Sequence, residues 1–159
     1  MRRLLFFFVV SLFLFSGPLA PEAQAQRHPG SFGIGVGSTT HTSGLSLKQV
    51  AGPTALQATV GCWRGCDGLG GSLDLLVNMP SFAAGEPLAL AWNFGGGAAL
   101  GLDSDGLGAM ASFILGLELN FRVVPVDLVL EWRPGLQVAP DVDLKLTGFG
   151  GHLRFYFGR

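Results

Sequence analysis

The sequence predicts an all-β fold: an eight-stranded antiparallel up-and-down transmembrane β-barrel. Three observations carry that expectation. Beyond residue 25 the chain divides into about eight segments of alternating polarity, none of it has helical periodicity, and only 13% of all residues are charged. Strand side chains alternate faces, so a period of two with one apolar side marks a strand whose two faces meet different media. Soluble domains carry ~25% charged residues. A chain at half that density has little charge with which to cover a surface in water.

The first segment, residues 31–38, puts Phe32, Ile34 and Val36 on one face and Gly33, Gly35 and Gly37 on the other. Residues 43–50 set Leu45 and Leu47 against Ser46 and Lys48, and Ala51-Gly52-Pro53-Thr54 supplies a tight turn. Residues 54–63 set Leu56, Ala58 and Val60 against Gln57 and Thr59, and residues 69–79 set Leu73, Leu75 and Val77 against Ser72, Asp74 and Asn78. A turn is expected over 80–87. Residues 87–102 place Leu88, Leu90, Trp92, Phe94, Ala98 and Leu100 opposite Ala89, Ala91, Asn93, Gly95, Gly97 and Ala99. A polar loop follows over 103–108.

The sixth segment, 111–124, alternates Phe113, Leu115, Leu117, Leu119 and Phe121 with Gly116, Glu118, Asn120 and Arg122 until Pro125 breaks it. Residues 126–138 alternate Leu128, Leu130, Trp132, Leu136 and Val138 with Asp127, Val129, Glu131, Arg133 and Gln137. The eighth segment is entered through Ala139-Pro140-Asp141 and ends in residues 149–157. Leu144 and Leu146 are even-numbered, whereas Phe149, Leu153, Phe155 and Phe157 are odd. A bulge or bend is therefore expected near Gly148, Gly150 or Gly151, the alternative being that residues 143–147 lie above the membrane, where their parity does not matter.

Alternation alone also fits a secreted, lipocalin-like barrel that binds a small apolar ligand, and that reading stays open as the alternative. The composition of the polar face favours the membrane reading. It is rich in Gly, Ala, Ser and Asn, which suit the crowded interior of eight strands. Its charges balance, with Lys48, Arg122, Arg133 and Arg154 against Asp74, Glu118, Asp127 and Glu131. Aromatics gather near strand ends on the apolar face, as an interfacial girdle requires.

The eight segments and the Leu153-x-Phe155-x-Phe157 ending resemble the small eight-stranded bacterial outer-membrane barrels of the outer membrane protein X and outer membrane protein A membrane-domain type. The resemblance is one of pattern over residues 26–159, and it departs in its short outer loops and in Gly158-Arg159 after the last aromatic. It implies the outer membrane of a Gram-negative bacterium, outer-membrane lipid as the surroundings, and a monomer. A surface ligand or protein partner is not specified.

The beginning of the chain reads as an export signal. Arg2 and Arg3 precede an apolar run over residues 4–15, and Ala23-Gln24-Ala25 is a small-x-small cleavage site. A transmembrane anchor is the competing reading, but the run is shorter than the ~20 residues a spanning helix needs. The expected division is a cleaved signal peptide over 1–25 and a barrel domain over 26–159. The barrel domain then carries eight basic and ten acidic residues, with no basic patch for nucleic acid.

Little of the chain has the form of a catalytic site. Glu118, Arg122, Asp127, Glu131, Arg133 and Arg154 share the polar face of three consecutive strands. They read as a gate or proton path, or, more simply, as buried charges that must pair and that plug the lumen. His152 lies on the same face. His41 and Ser43 share one strand face, but no carboxylate is local to complete a nucleophile's base and orienting group. Gly33-x-Gly35-x-Gly37 is followed by no helix that could receive a phosphate. Cys62 and Cys66 fit a small disulfide loop in an oxidising compartment, with free thiols or a metal as alternatives. The sequence thus implies no cofactor, metal or catalytic residue. The expected function is non-enzymatic, structural or surface-interacting, and a lipid-modifying enzyme ranks behind the soluble binding barrel.

Overall fold

A computed structural model describes residues 28–157; the export signal expected over 1–25 and Gly158-Arg159 lie outside the described residues. Within them every regular element is a β-strand. The strands are β1 (Phe32–Ser38), β2 (Thr42–Ala51), β3 (Thr54–Trp63), β4 (Gly68–Ala84) and β5 (Leu88–Asp103). They continue with β6 (Gly106–Phe121), β7 (Val126–Trp132), β8 (Gly135–Ala139), β9 (Asp143–Lys145) and β10 (Phe149–Phe157).

Each strand from β1 to β6 pairs antiparallel with the next, and β10 pairs with both β7 and β1, which closes the barrel. The ring has eight staves because β7 with β8, and β9 with β10, each continue one line across an interruption. β6 pairs with β7 through Leu115–Asn120 and then with β8 through Ala109–Ser112. Arg133 and Pro134 separate β7 from β8, where proline cannot donate to the ladder. β8 and β9 extend as a hairpin past one end of the ring.

The parity change expected in the last stave falls at residues 146–148, between β9 and β10. Leu144 and Leu146 face outward on one side of it, and Phe149 and Leu153 face outward on the other. Two boundaries differ from the sequence reading. The turn expected over 80–87 shrinks to residues 85–87, because β4 runs through Pro80 with a register shift between Met79 and Ala83. A bulge tolerates the missing donor there. The loop expected over 103–108 is only Ser104-Asp105, because Asp103 and Gly106 still pair.

The polarity of the barrel is inside out relative to a soluble domain. Val36, Val60, Leu73, Leu75, Leu100, Leu130, Leu153 and Phe155 are exposed on the outer face, while Lys48, Gln57, Asp74, Asp127, Glu131, Arg133, His152 and Arg154 are buried in the lumen. A small apolar cluster of Ala55, Leu76 and Ile114 completes the interior.

The glycines of β1 explain how so many long side chains fit. Gly33, Gly35 and Gly37 stand directly across from Tyr156, Arg154 and His152 of β10. A Cβ at Gly33 or Gly37 would meet the Tyr156 or His152 ring, and one at Gly35 would run into the Leu153 carbonyl. One strand gives up its lumenal side chains so that its neighbour can carry large ones. Gly35→Leu is therefore expected to destabilise the barrel by ~1–3 kcal/mol or more. The urea midpoint of the refolded protein should fall, and an unchanged midpoint would show that the β1–β10 seam is not this close.

Candidate functional site

The lumenal polar groups form three clusters, two of them linked by Gln57, whose geometry follows from strand register. Gln57 and Asp74 are cross-strand partners on β3 and β4, and Gly116 and Glu131 are partners on β6 and β7. Arg133 reaches across the lumen to Asp74, donating from Nη1 to Oδ2 at 3.1 Å and from Nη2 to Oδ1 at 2.7 Å. Its Nη1 also donates to Glu131 Oε2 at 2.6 Å. The Oδ1 atom of Asp74 lies over Gly97, its partner on β5, where a side chain would leave no room.

Gln57 joins these groups to the second cluster. Its amide nitrogen donates to Asp74 Oδ2 at 3.1 Å and to Glu131 Oε1 at 2.9 Å, and its carbonyl accepts from Arg154 Nη1 at 2.6 Å. Arg154 donates from Nε and Nη2 to the two carboxylate oxygens of Asp127, each at 3.3 Å. The Tyr156 hydroxyl donates to Asp127 Oδ2 at 2.7 Å. Lys48 pairs with Glu118, whose Oε1 also accepts from Asn93 at 2.6 Å. His152 sits between Ser46 Oγ, 2.9 Å from Nδ1, and Glu131 Oε2, 3.2 Å from Nε2.

Of the six charges expected to cluster, the structure places Glu118, Asp127, Glu131, Arg133 and Arg154 in the lumen and buried. Arg122 is a correction. β6 ends at Phe121, so Arg122 lies in the turn before β7 and is exposed, its backbone N–H bonded to Pro87 O. The alternating pattern carried its parity one residue past the strand. Lys48 and Asp74, on β2 and β4, take part instead, so the network spans the barrel rather than three adjacent strands. Gln57, Ser46, Asn93 and Tyr156 complete it. Their signal in the sequence was their parity, shared with the charges, but a neutral amide or hydroxyl is not distinguished from filler by parity alone.

At the loop end, Cys62 and Cys66 are joined by a disulfide. The loop it closes carries Arg64 over the Trp63 ring at 6.0 Å, and Arg64 also pairs with Asp103 at 3.4 Å. His41 packs on the same indole, with ring centroids 5.5 Å apart. Partial burial, together with the nearby cations Arg64 and Lys145, holds the His41 imidazole below its ordinary pKa and so favours its neutral form. Ser43 stands in register between Ser38 and Cys62 on the neighbouring strands. Among the described residues no group of three or more His, Cys, Asp or Glu side chains is placed to hold a metal ion.

A comparison with protein families, curated proteins and solved structures finds no match. The chemistry of the lumen is therefore argued from its own geometry. It is a hydrogen-bonded ionic network in which three cations serve four carboxylates, each carboxylate held by a cation and by at least one further donor. Such an arrangement orders the interior and fills it.

Removing one member leaves a buried charge unpaired, which costs ~3–5 kcal/mol. Glu131→Ala should destabilise the barrel by about that amount, since Arg133, His152 and Gln57 all lose a partner. Glu86→Ala, at an exposed turn position, should stay within ~0.5 kcal/mol of the parent. Equilibrium urea unfolding of both variants checks the contrast, and equal midpoints would contradict it.

Proposed function

We propose that this protein is an outer-membrane β-barrel of a Gram-negative bacterium, non-enzymatic, with a structural or surface-interaction role. The observation that carries the reading is the inverted polarity of the barrel. Outward-facing leucines, valines and phenylalanines cover staves all around the ring, and the charged groups turn into the lumen. Water would penalise that outer surface, whereas a bilayer is the solvent for which it is suited. Closure of the ring leaves the spanning staves without a free edge, as lipid requires. An export signal over 1–25 and the resemblance to outer membrane protein X and A-type barrels support the same location.

The soluble, ligand-binding alternative needs an apolar interior. Here the centre of the lumen is filled by Arg133, Asp74, Gln57, Glu131, His152 and Arg154, so an apolar guest would have to displace a paired ionic network. The same filling argues against conduction. A lipid-modifying enzyme would need a nucleophile with a base, and Ser43 and His41 lie in different surroundings at the loop end.

Cell fractionation of the full chain should place it in detergent-soluble outer membranes. Leu130→Arg should cost ~2–4 kcal/mol of membrane stability if that residue lies near the midplane. Planar-bilayer recordings of the purified protein should show no steady channel. Recovery as a monomer from detergent-free periplasm would overturn the membrane reading, and reproducible ohmic steps would overturn the plugged lumen.

A further inference from the structure

Between the ionic layer and the loop end the lumen changes character. Along β2, β3 and β4 the register above Lys48, Gln57 and Asp74 runs to Ser46, Thr59 and Ser72, then to Gly44, Gly61 and Gly70, then to Thr42, Trp63 and Gly68. On these three strands the layers above the charges are thus small, and the Ser72 layer continues through Ala99 to the larger buried Met110 and Gln137 on the far wall. They are also roofed. The Trp63 indole lies over Gly70 of β4, Gly101 of β5 and Gly108 of β6, so close that a Cβ at any of the three would collide with it. At 1% exposure it closes this side of the barrel mouth, braced by His41 and Arg64.

Polar groups enclosed between roof and floor have no protein partner. Thr59 Oγ1 and Ser72 Oγ, on directly opposed residues, are both buried and unpaired, as are Thr42 Oγ1 and the Trp63 Nε1 donor. The Nε of Arg133, whose guanidinium closes the floor against Asp74, is unpaired as well. Native interiors rarely leave such groups unsatisfied, because the lost hydration is not recovered.

We propose that this upper lumen is an internal water site, with Thr59 and Ser72 as its principal hydrogen-bonding walls and Trp63 as its lid. The chemistry selects water over other guests. Hydroxyls that can donate or accept suit a neutral molecule that does both, and a buried water needs ~2–4 polar partners. An anion is disfavoured, since the lumen already holds four carboxylates, Asp74, Glu118, Asp127 and Glu131, against the three cations Lys48, Arg133 and Arg154. A cation finds those carboxylates engaged, and an apolar guest would leave the hydroxyls unpaired. The site depends only on the lumen, so it stands whether the outer face meets lipid or not.

The test uses the full refolded chain in detergent micelles, with water itself as the probe. Ala99, the β5 partner of Ser72, carries a methyl group on the chamber wall. Cross-relaxation between water and that methyl should have the sign of long-lived bound water. Thr59→Val, which keeps the side-chain shape, should lower the urea midpoint because it removes a bond to that water, and water should still cross-relax with the new methyl groups. Trp63→Ala should shift the Ala99 signal toward the value of fast-exchanging surface water. Absent cross-relaxation in the parent, or a raised midpoint in Thr59→Val, would mean a dry chamber with unpaired hydroxyls and would overturn the site. An unchanged residence time in Trp63→Ala would overturn the lid.

Discussion

The placement of Arg133 is the constraint on which the rest of the structure depends. A guanidinium taken out of water is costly, and that cost is met here only because Asp74 binds it with two hydrogen bonds and Glu131 with a third. Those two carboxylates sit on β4 and β7, on opposite parts of the ring, so the contact fixes the lumen across its width as well as along one seam. Gln57 extends the constraint by hydrogen-bonding both carboxylates and Arg154. A one-residue slip in any of these strands would turn its charges to the outside and its leucines to the inside. The ionic layer therefore acts as a register lock.

Space for that lock comes from glycine. Large lumenal residues face small ones across the ladder, with His152, Arg154 and Tyr156 over the glycines of β1, Asp74 over Gly97, and Asn93 over Gly116. An eight-stranded ring encloses little more than its own side chains, so the total volume has to be shared in this way. The same sharing produces the change from a dense ionic layer to the Gly-, Ser- and Thr-lined mouth beneath Trp63.

The all-β class and the closed eight-stave ring were legible in the sequence, because period-two alternation survives from Phe32 to Phe157 and specifies both faces at once. The parity change before Phe149 was legible for the same reason. Pro80 was not legible as a strand residue, since a bulge, visible only with the partner strand in place, absorbs its missing donor. Arg122 was misplaced because parity does not report where a strand stops. Cross-barrel partnerships were hidden as well. Arg133 meets Asp74 at a sequence separation of 59, and only the closed ring brings them together. The disulfide was legible from the Cys62–Cys66 spacing and the expected export, whereas the placing of Arg64 over the Trp63 ring within its loop was not.

The proposed orientation sets the apolar face against lipid and keeps the polar face and the mouth away from it. The three tryptophans sample these positions, with Trp92 and Trp132 on the outer face and Trp63 inside the mouth. The most direct measurement is fluorescence quenching by brominated acyl chains, made on variants that each retain a single tryptophan and are refolded into bilayers. Strong quenching of Trp92 and Trp132 and none of Trp63 is expected. Quenching of Trp63 alone, or Trp92 and Trp132 reached by aqueous iodide and untouched by the brominated lipid, would contradict it.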